Sequence, residues 1–139
     1  MFVTRATRHD KADLEGFLTN HGLQASLDEG VAFIARDGVI VGCVRLIEVE
    51  PGTLLADDVL VDEKRRNEGV GRQVMQTAMN SRGGTIWLSC HEEAEGFYEK
   101  LGFGRVDFED LPAPVLSYLV KVGDHPTPPG HVHIYMKAR

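Results

Sequence analysis

Apolar and polar positions along the chain change period several times, and each change predicts an element. Phe2 to Ala6 alternates briefly and reads as a short strand. From His9 to Asn20 the apolar residues Ala12, Leu14, Phe17 and Leu18 fall at helical spacing. Leu23 to Gly30 is a candidate for a short second helix. Val31 to Arg36 and Val39 to Glu48 are rich in β-branched residues, and Asp37-Gly38 between them is a hairpin signal. Pro51-Gly52 turns the chain again, so Thr53 to Val61 is expected to return antiparallel.

A second helix pattern runs from Gly69 to Asn80, with Val70, Val74, Met75, Ala78 and Met79 as its apolar stripe. Ser81-Arg82-Gly83-Gly84 ends it, and Thr85 to Cys90 is again β-rich. Glu92 to Lys100 reads as a helix stopped by Gly102, Phe103 to Phe108 as a strand, and His131 to Lys137 as the last strand. Leu111 to Val122 fits a helix or a loop, with Pro112 placed to open a helix. Asp124 to Gly130 holds three prolines and reads as a loop. The pattern predicts one α/β (α+β) domain over residues 1–139: a single mixed, largely antiparallel sheet of six to seven strands flanked by about four helices. Because a right-handed crossover helix joins them, Thr85 to Cys90 is expected to run parallel to Thr53 to Val61.

A chain of 139 residues is one domain by size. A net charge of -6 argues against a nucleic-acid partner, which needs a surface that neutralises phosphates. No apolar run reaches membrane-spanning length, and the first residues lack the apolar core of a signal peptide, so no membrane association and a cytoplasmic location are expected. Cys43 and Cys90 each sit in an apolar run and read as small buried hydrophobes. Against the acidic background, Lys64, Arg65, Arg66 and Arg72 form a local basic cluster suited to a small anion.

That cluster lies where a strand ends and a helix begins. Leading amides of a helix lack carbonyl partners and sit at the positive end of the peptide dipoles, so a phosphate or diphosphate binds well there. Gly69 and Gly71 allow close approach of the main chain, and Arg66 and Arg72 can add charge-assisted bonds. A dinucleotide fingerprint is a poor match, since it needs three glycines after the first strand, and a P-loop is excluded because no Gly-Lys-Ser/Thr follows.

Taken with the later run Phe97-Tyr98-Glu99-Lys100-Leu101-Gly102-Phe103, the segment Val61, Arg66, Gly69, Val70, Gly71 resembles the GNAT (Gcn5-related) N-acetyltransferase superfamily. The two blocks stand in the family order with a strand between them, and the resemblance extends over nearly the whole chain. It departs at Glu63, where many relatives have Pro, at Asn67, where many have Gly, and at Cys90-His91, where an Asn or Asp often stands.

The resemblance implies acetyl-CoA as co-substrate and no metal. It implies that strands four and five splay to admit the pantetheine arm. Cofactor contacts then fall on Leu60, Val61, Arg66, Asn67, Glu68, Gly69, Val70, Gly71, Arg72, His91 and Tyr98. Backbone groups of Leu60 and Val61 would pair with pantetheine as if it were a strand. Tyr98 matches the family's general acid, which protonates the departing thiolate. An amine of pKa about 10 must also lose a proton, so a base is needed. Asp57 and Asp58 interrupt an apolar strand and are the catalytic candidates for that work or for binding the amine, with partnership to an arginine or a hydrogen bond to backbone as the alternative. His91 is a third candidate base. His131 and His133 alternate on the last strand, and with no Cys or carboxylate close in sequence they are assigned a structural role.

The acceptor expected is a primary amine of a small molecule, amino-acid or polyamine-like. Asp10, Asp13, Glu15, Asp28 and Glu29 on the N-terminal segment suit a cationic amine, though a solvated acidic face explains them equally well. Protein or peptide N-acetylation and a non-catalytic acetyl-CoA sensor remain as alternatives. Homodimers are common among relatives, and the C-terminal segment is a candidate surface for one.

Overall fold

The computed structural model describes residues 1–23 and 29–139. The short helix expected over Leu23 to Gly30 lies, apart from its ends, outside the described residues, as does Asp28. The strands are β1 (Phe2–Arg5), β2 (Val31–Asp37), β3 (Val39–Glu50), β4 (Thr53–Val61), β5 (Thr85–His91), β6 (Gly104–Val106) and β7 (His133–Ala138). Among the described residues the α-helices are α1 (Lys11–Asn20), α2 (Val70–Ser81), α3 (Glu95–Glu99) and α4 (Ala113–Lys121). The strands hydrogen-bond in the order β1-β2-β3-β4-β5-β7-β6. β4 and β5 are parallel, and their register covers Thr53 to Leu55 against Thr85 to Trp87. None of these helices is long and apolar enough to cross a membrane.

Two compact units divide the chain: residues 1–47 with 56–83, and residues 48–55 with 84–139. In the first, sheet alternation sends successive side chains to opposite faces. Leu14, Phe17 and Leu18 of α1 pack with Ile34, Ile40 and Cys43. On the other face Val70 of α2 packs with Ala35 and Val41. The register of β2 against β3 shifts where Ala35 pairs with Gly42 and Arg36 with Ile40, leaving Val41 as an extra residue. This bulge puts Val41 and Gly42 on one face, under the start of α2. A Cβ on Gly42 would stand 2.7 Å from Val70 Cγ1, so glycine is what lets α2 begin so close to β3. Thr7 caps the turn before α1: its Oγ1 accepts from His9 N–H at 3.2 Å, and its own N–H donates to Asp10 Oδ2 at 2.8 Å.

In the second unit β5, β7 and β6 form an antiparallel ladder, with Cys90 opposite Ile134 and His91 opposite His133. Ile86, Leu88, Ile134 and Met136 are buried on these strands, and Tyr98, Phe103, Val115 and Leu119 are buried from α3, β6's approach and α4. The ambiguous Leu111 to Val122 segment is a helix, α4, with Pro112 as its N-cap residue. The helix expected from Glu92 to Lys100 divides into a 3-10 turn, Glu92–Ala94, followed by α3. The strand expected from Phe103 to Phe108 keeps only Gly104–Val106, because residues 108–110 form a 3-10 turn. Cys43 and Cys90 are both free and buried, as expected.

Candidate active site

Asp62 ends β4: its N–H donates to Val41 O at 2.9 Å, and its carboxylate accepts from Lys64 N–H at 3.0 Å, capping a 3-10 turn over Glu63–Arg65. The chain then turns through residues 66–69 into α2. Two residues of this turn are left-handed, Asn67 at φ 67° and Gly69 at φ 81°. Asn is among the side-chain-bearing residues that tolerate this region best, which suits it to position 67. Open space surrounds the position of a Cβ on Gly69, so its glycine answers to backbone conformation rather than to crowding within the chain.

The first ladder bond of α2 runs from Gln73 N–H to Gly69 O at 3.0 Å. Ahead of it, the amides of Val70, Gly71 and Arg72 belong to the first turn and have no intrahelical acceptor. Val70 and Gly71 are buried on the protein side, while Glu68, Gly69 and Arg72 are exposed. The basic cluster resolves into two kinds of residue. Arg65 donates to Asp37 at 2.9 Å and to Glu68 at 3.0 Å. Arg66 and Arg72 are exposed and form no ion pair among the described residues. The turn therefore presents exposed guanidinium groups beside first-turn amides that have no intrahelical acceptor, an arrangement suited to a diphosphate.

Along β4 the apolar run breaks at Asp57 and Asp58, both in the same unit as the turn. Asp58 has φ 52°, a left-handed conformation within a strand. Arg45 of β3 is buried, and its Nη2 lies 3.1 Å from Asp58 Oδ2 and 3.3 Å from Asp57 Oδ2. Asp57 Oδ1 accepts from the Asp58 N–H at 2.9 Å. Asp58 Oδ2 is buried and accepts no hydrogen bond of good geometry among the described residues. Burial first, and then the neighbouring Asp57 charge, push the Asp58 carboxyl up to about 6, with Arg45 opposing. Beside it the Cys43 thiol donates to Asp58 O at 3.3 Å, and burial pushes that thiol up to about 12. Backbone strain and a raised carboxylate thus coincide at one residue.

The acidic N-terminal face is largely committed. Arg36 pairs with Asp10 at 3.0 Å and Asp13 at 3.3 Å, and Lys11 lies 4.0 Å from Glu15. These carboxylates tie α1 to β2 and to itself, which favours the structural account of that face.

In the second unit Tyr98 is buried on α3, its ring edge-on to Phe97 at 5.0 Å and to Phe103 at 5.8 Å. The Tyr98 carbonyl accepts from Leu101 N–H at 3.0 Å and Phe103 N–H at 3.1 Å, so the Leu-Gly-Phe run folds back as the helix stop. His91 is exposed at the end of β5 and lies beside two other histidines: ring centroids of His131 and His133 are 5.4 and 5.0 Å away. That clustering was not visible in the sequence, because register across β5 and β7 decides it.

A family profile described as an acetyltransferase (GNAT) domain matches residues 28–105, more than half of the 139. No protein of curated function matches the chain by sequence. Among solved structures, an aminoglycoside 6'-N-acetyltransferase complexed with coenzyme A is similar with a TM-score of 0.70 and 19% identity, over 99% of this chain and 96% of that one. The ribosomal-protein-S18-alanine N-acetyltransferase of Escherichia coli gives 0.71 and 15%, over 99% and 92%. N-acetylglutamate synthase of Neisseria gonorrhoeae, complexed with coenzyme A and N-acetyl-glutamate, gives 0.72 and 18%, over 100% of this chain and 35% of that one. Sequence motif, sheet order with a parallel β4–β5 pair, and family profile agree: the chain belongs to the GNAT acetyltransferase family.

Proposed function

We propose that residues 1–139 act as one acetyl-CoA-dependent N-acetyltransferase domain that moves the acetyl group directly to a primary amine of a small molecule. The observation that carries this reading is the turn over residues 66–69, where two left-handed residues and the exposed Arg66 and Arg72 flank the leading amides of α2. In this reading the amides of residues 67–72 hold the diphosphate, and backbone groups of Leu60 and Val61 pair with pantetheine. His91 keeps its place among the cofactor contacts expected from the family.

Asp58 is the base in this reading and Asp57 its modulator. A carboxylate near 6 takes up a proton and releases it again near neutral pH, as general-base work requires. The amine, once deprotonated, attacks the thioester carbonyl carbon; a C–N bond forms and the C–S bond breaks. One ammonium proton passes to Asp58 before attack, directly or through water; the thiolate takes a proton from Tyr98, and the second proton lost from nitrogen restores the Tyr98 hydroxyl through solvent. Two adjacent carboxylates, Asp57 and Asp58, also suit a cationic acceptor. The free, buried cysteines support a reducing, cytoplasmic location.

Two measurements test the reading. Calorimetric titration of acetyl-CoA into the protein should give one saturable site, weakened in Arg66→Ala and Arg72→Ala; absence of heat overturns it. Thiol release should then be followed with amino acids, polyamines, aminoglycosides and peptide N-termini. Turnover confined to peptides replaces the small-molecule acceptor with a protein one, and tight binding without turnover leaves a sensor.

A further inference from the structure

The last residue of β5 and the first of β7 are both histidines, and the register sets His91 opposite His133. Two residues earlier in the chain His131 joins them, with its ring centroid 5.4 Å from that of His91 and 6.2 Å from that of His133. The three rings meet at interplanar angles of 46° to 82°, so they converge by their edges rather than stacking. One ring nitrogen from each lies within 4.8 Å of the others. His91 and His131 are exposed, so hydrophobic burial does not explain their convergence.

Behind His133 stands a carboxylate. Asp124 Oδ2 is 3.6 Å from His133 Nδ1, and both atoms are buried with no hydrogen-bond partner among the described residues. A carboxylate facing Nδ1 favours a proton there and leaves Nε2 as the basic nitrogen, the arrangement that prepares an imidazole to bind a metal. We propose that His91, His131 and His133 bind a divalent transition ion, with Zn2+ as the best chemical match, and that Asp124 orients His133 for it.

Imidazole nitrogens suit zinc, cobalt, nickel and copper, whereas magnesium and calcium favour oxygen donors. Bonds of about 2.0–2.1 Å to a tetrahedral ion place nitrogens roughly 3.3 Å apart. Closing from the observed spacing needs rotation of the exposed His91 and His131 rings, not movement of the ladder that sets His133. Three protein ligands leave the fourth position for water. Sequence spacing had pointed to a structural role for His131 and His133, because neither His91 nor Asp124 is close enough in sequence to be counted with both.

The test uses the full chain without a polyhistidine tag. Co2+ is titrated as a spectroscopic probe and then displaced by Zn2+. One equivalent should bind with the ligand-field spectrum of a tetrahedral nitrogen site. His91→Ala and His131→Ala, at exposed positions that leave the near-ultraviolet circular dichroism unchanged, should each weaken binding by tenfold or more, and the double variant should abolish it. Asp124→Asn should weaken it by about 10–100-fold while retaining one equivalent. At a hundredfold excess over Kd, Zn2+ should raise Tm by roughly 10 °C in the wild type and not in the double variant. No saturable binding overturns the proposal. So does binding that survives the double variant, or a spectrum showing thiolate ligation. None of these readouts depends on acetyl-CoA, so the outcome is independent of the proposed transfer reaction.

Discussion

Arg45 Nη2 stands 3.1 Å from Asp58 Oδ2 and 3.3 Å from Asp57 Oδ2, one buried cation shared by two adjacent carboxylates. Asp58 is the more enclosed of the two, and burial first, then the neighbouring Asp57 charge, push its carboxyl up to about 6 against the pull of Arg45.

If Asp58 is the base, turnover rises with pH through about 6 in the wild type. Asp58→Asn should remove that limb and lower kcat by a hundredfold or more. Asp57→Asn should keep the limb but move it to lower pH, because the charge that raises Asp58 is gone. A pH–rate profile for each variant checks both outcomes, and a limb that persists in Asp58→Asn excludes Asp58.

The same carboxyl makes stability depend on pH. Its folded pKa lies above the unfolded value of about 3.9, so the native state holds the proton more tightly and stability falls as pH rises from about 4 through 6. Asp58→Asn should remove this loss. Its melting temperature at pH 8 should exceed that of the wild type, and the difference should close at pH 4; scanning calorimetry at the two pH values reads it.

Arginines of the cofactor turn should separate by role. Arg66→Ala and Arg72→Ala should each weaken acetyl-CoA binding about tenfold, and more steeply at low salt, by loss of charge-assisted contacts. Arg65→Ala should leave affinity unchanged, since Arg65 is tied to Asp37 and Glu68, and should change stability little, as the loss of exposed pairs does. Titration calorimetry at two salt concentrations distinguishes them.

Tyr98→Phe should lower kcat and leave cofactor affinity nearly unchanged, because the ring packing against Phe97 and Phe103 is kept. Steady-state kinetics beside a binding isotherm checks the split. Equal loss in both would assign Tyr98 to packing.

Both thiols should be silent in the native protein. Burial pushes Cys43 up to about 12 and Cys90 up to about 11, so little thiolate forms near neutral pH. A disulfide reagent should report two thiols only after denaturation, which leaves coenzyme A release as the signal in a turnover assay.

Much of the fold was legible because local chemistry and global pairing agree. Asp37-Gly38, Pro51-Gly52 and the stripe Val70, Val74, Met75, Ala78 each specify their element without distant help. What escaped depends on register. The bulge at Val41 places Val41 and Gly42 on the same face, and no alternation rule finds it. The histidine cluster needs β5 and β7 in their observed alignment. Asp57 and Asp58 were legible as intruders in an apolar strand, but which of them is the more enclosed, Asp58, emerges only from the packed strand, where its backbone is left-handed.

The left-handed pair Asn67 and Gly69 has a consequence for kinetics. The awkward backbone of this loop is fixed when the chain folds, so an arriving diphosphate has little left to organise. Entropy lost on capture should be small, and association should be limited by encounter rather than by rearrangement. Gly69→Ala, forced into a conformation its methyl group resists, should shift that burden onto the ligand and slow its arrival.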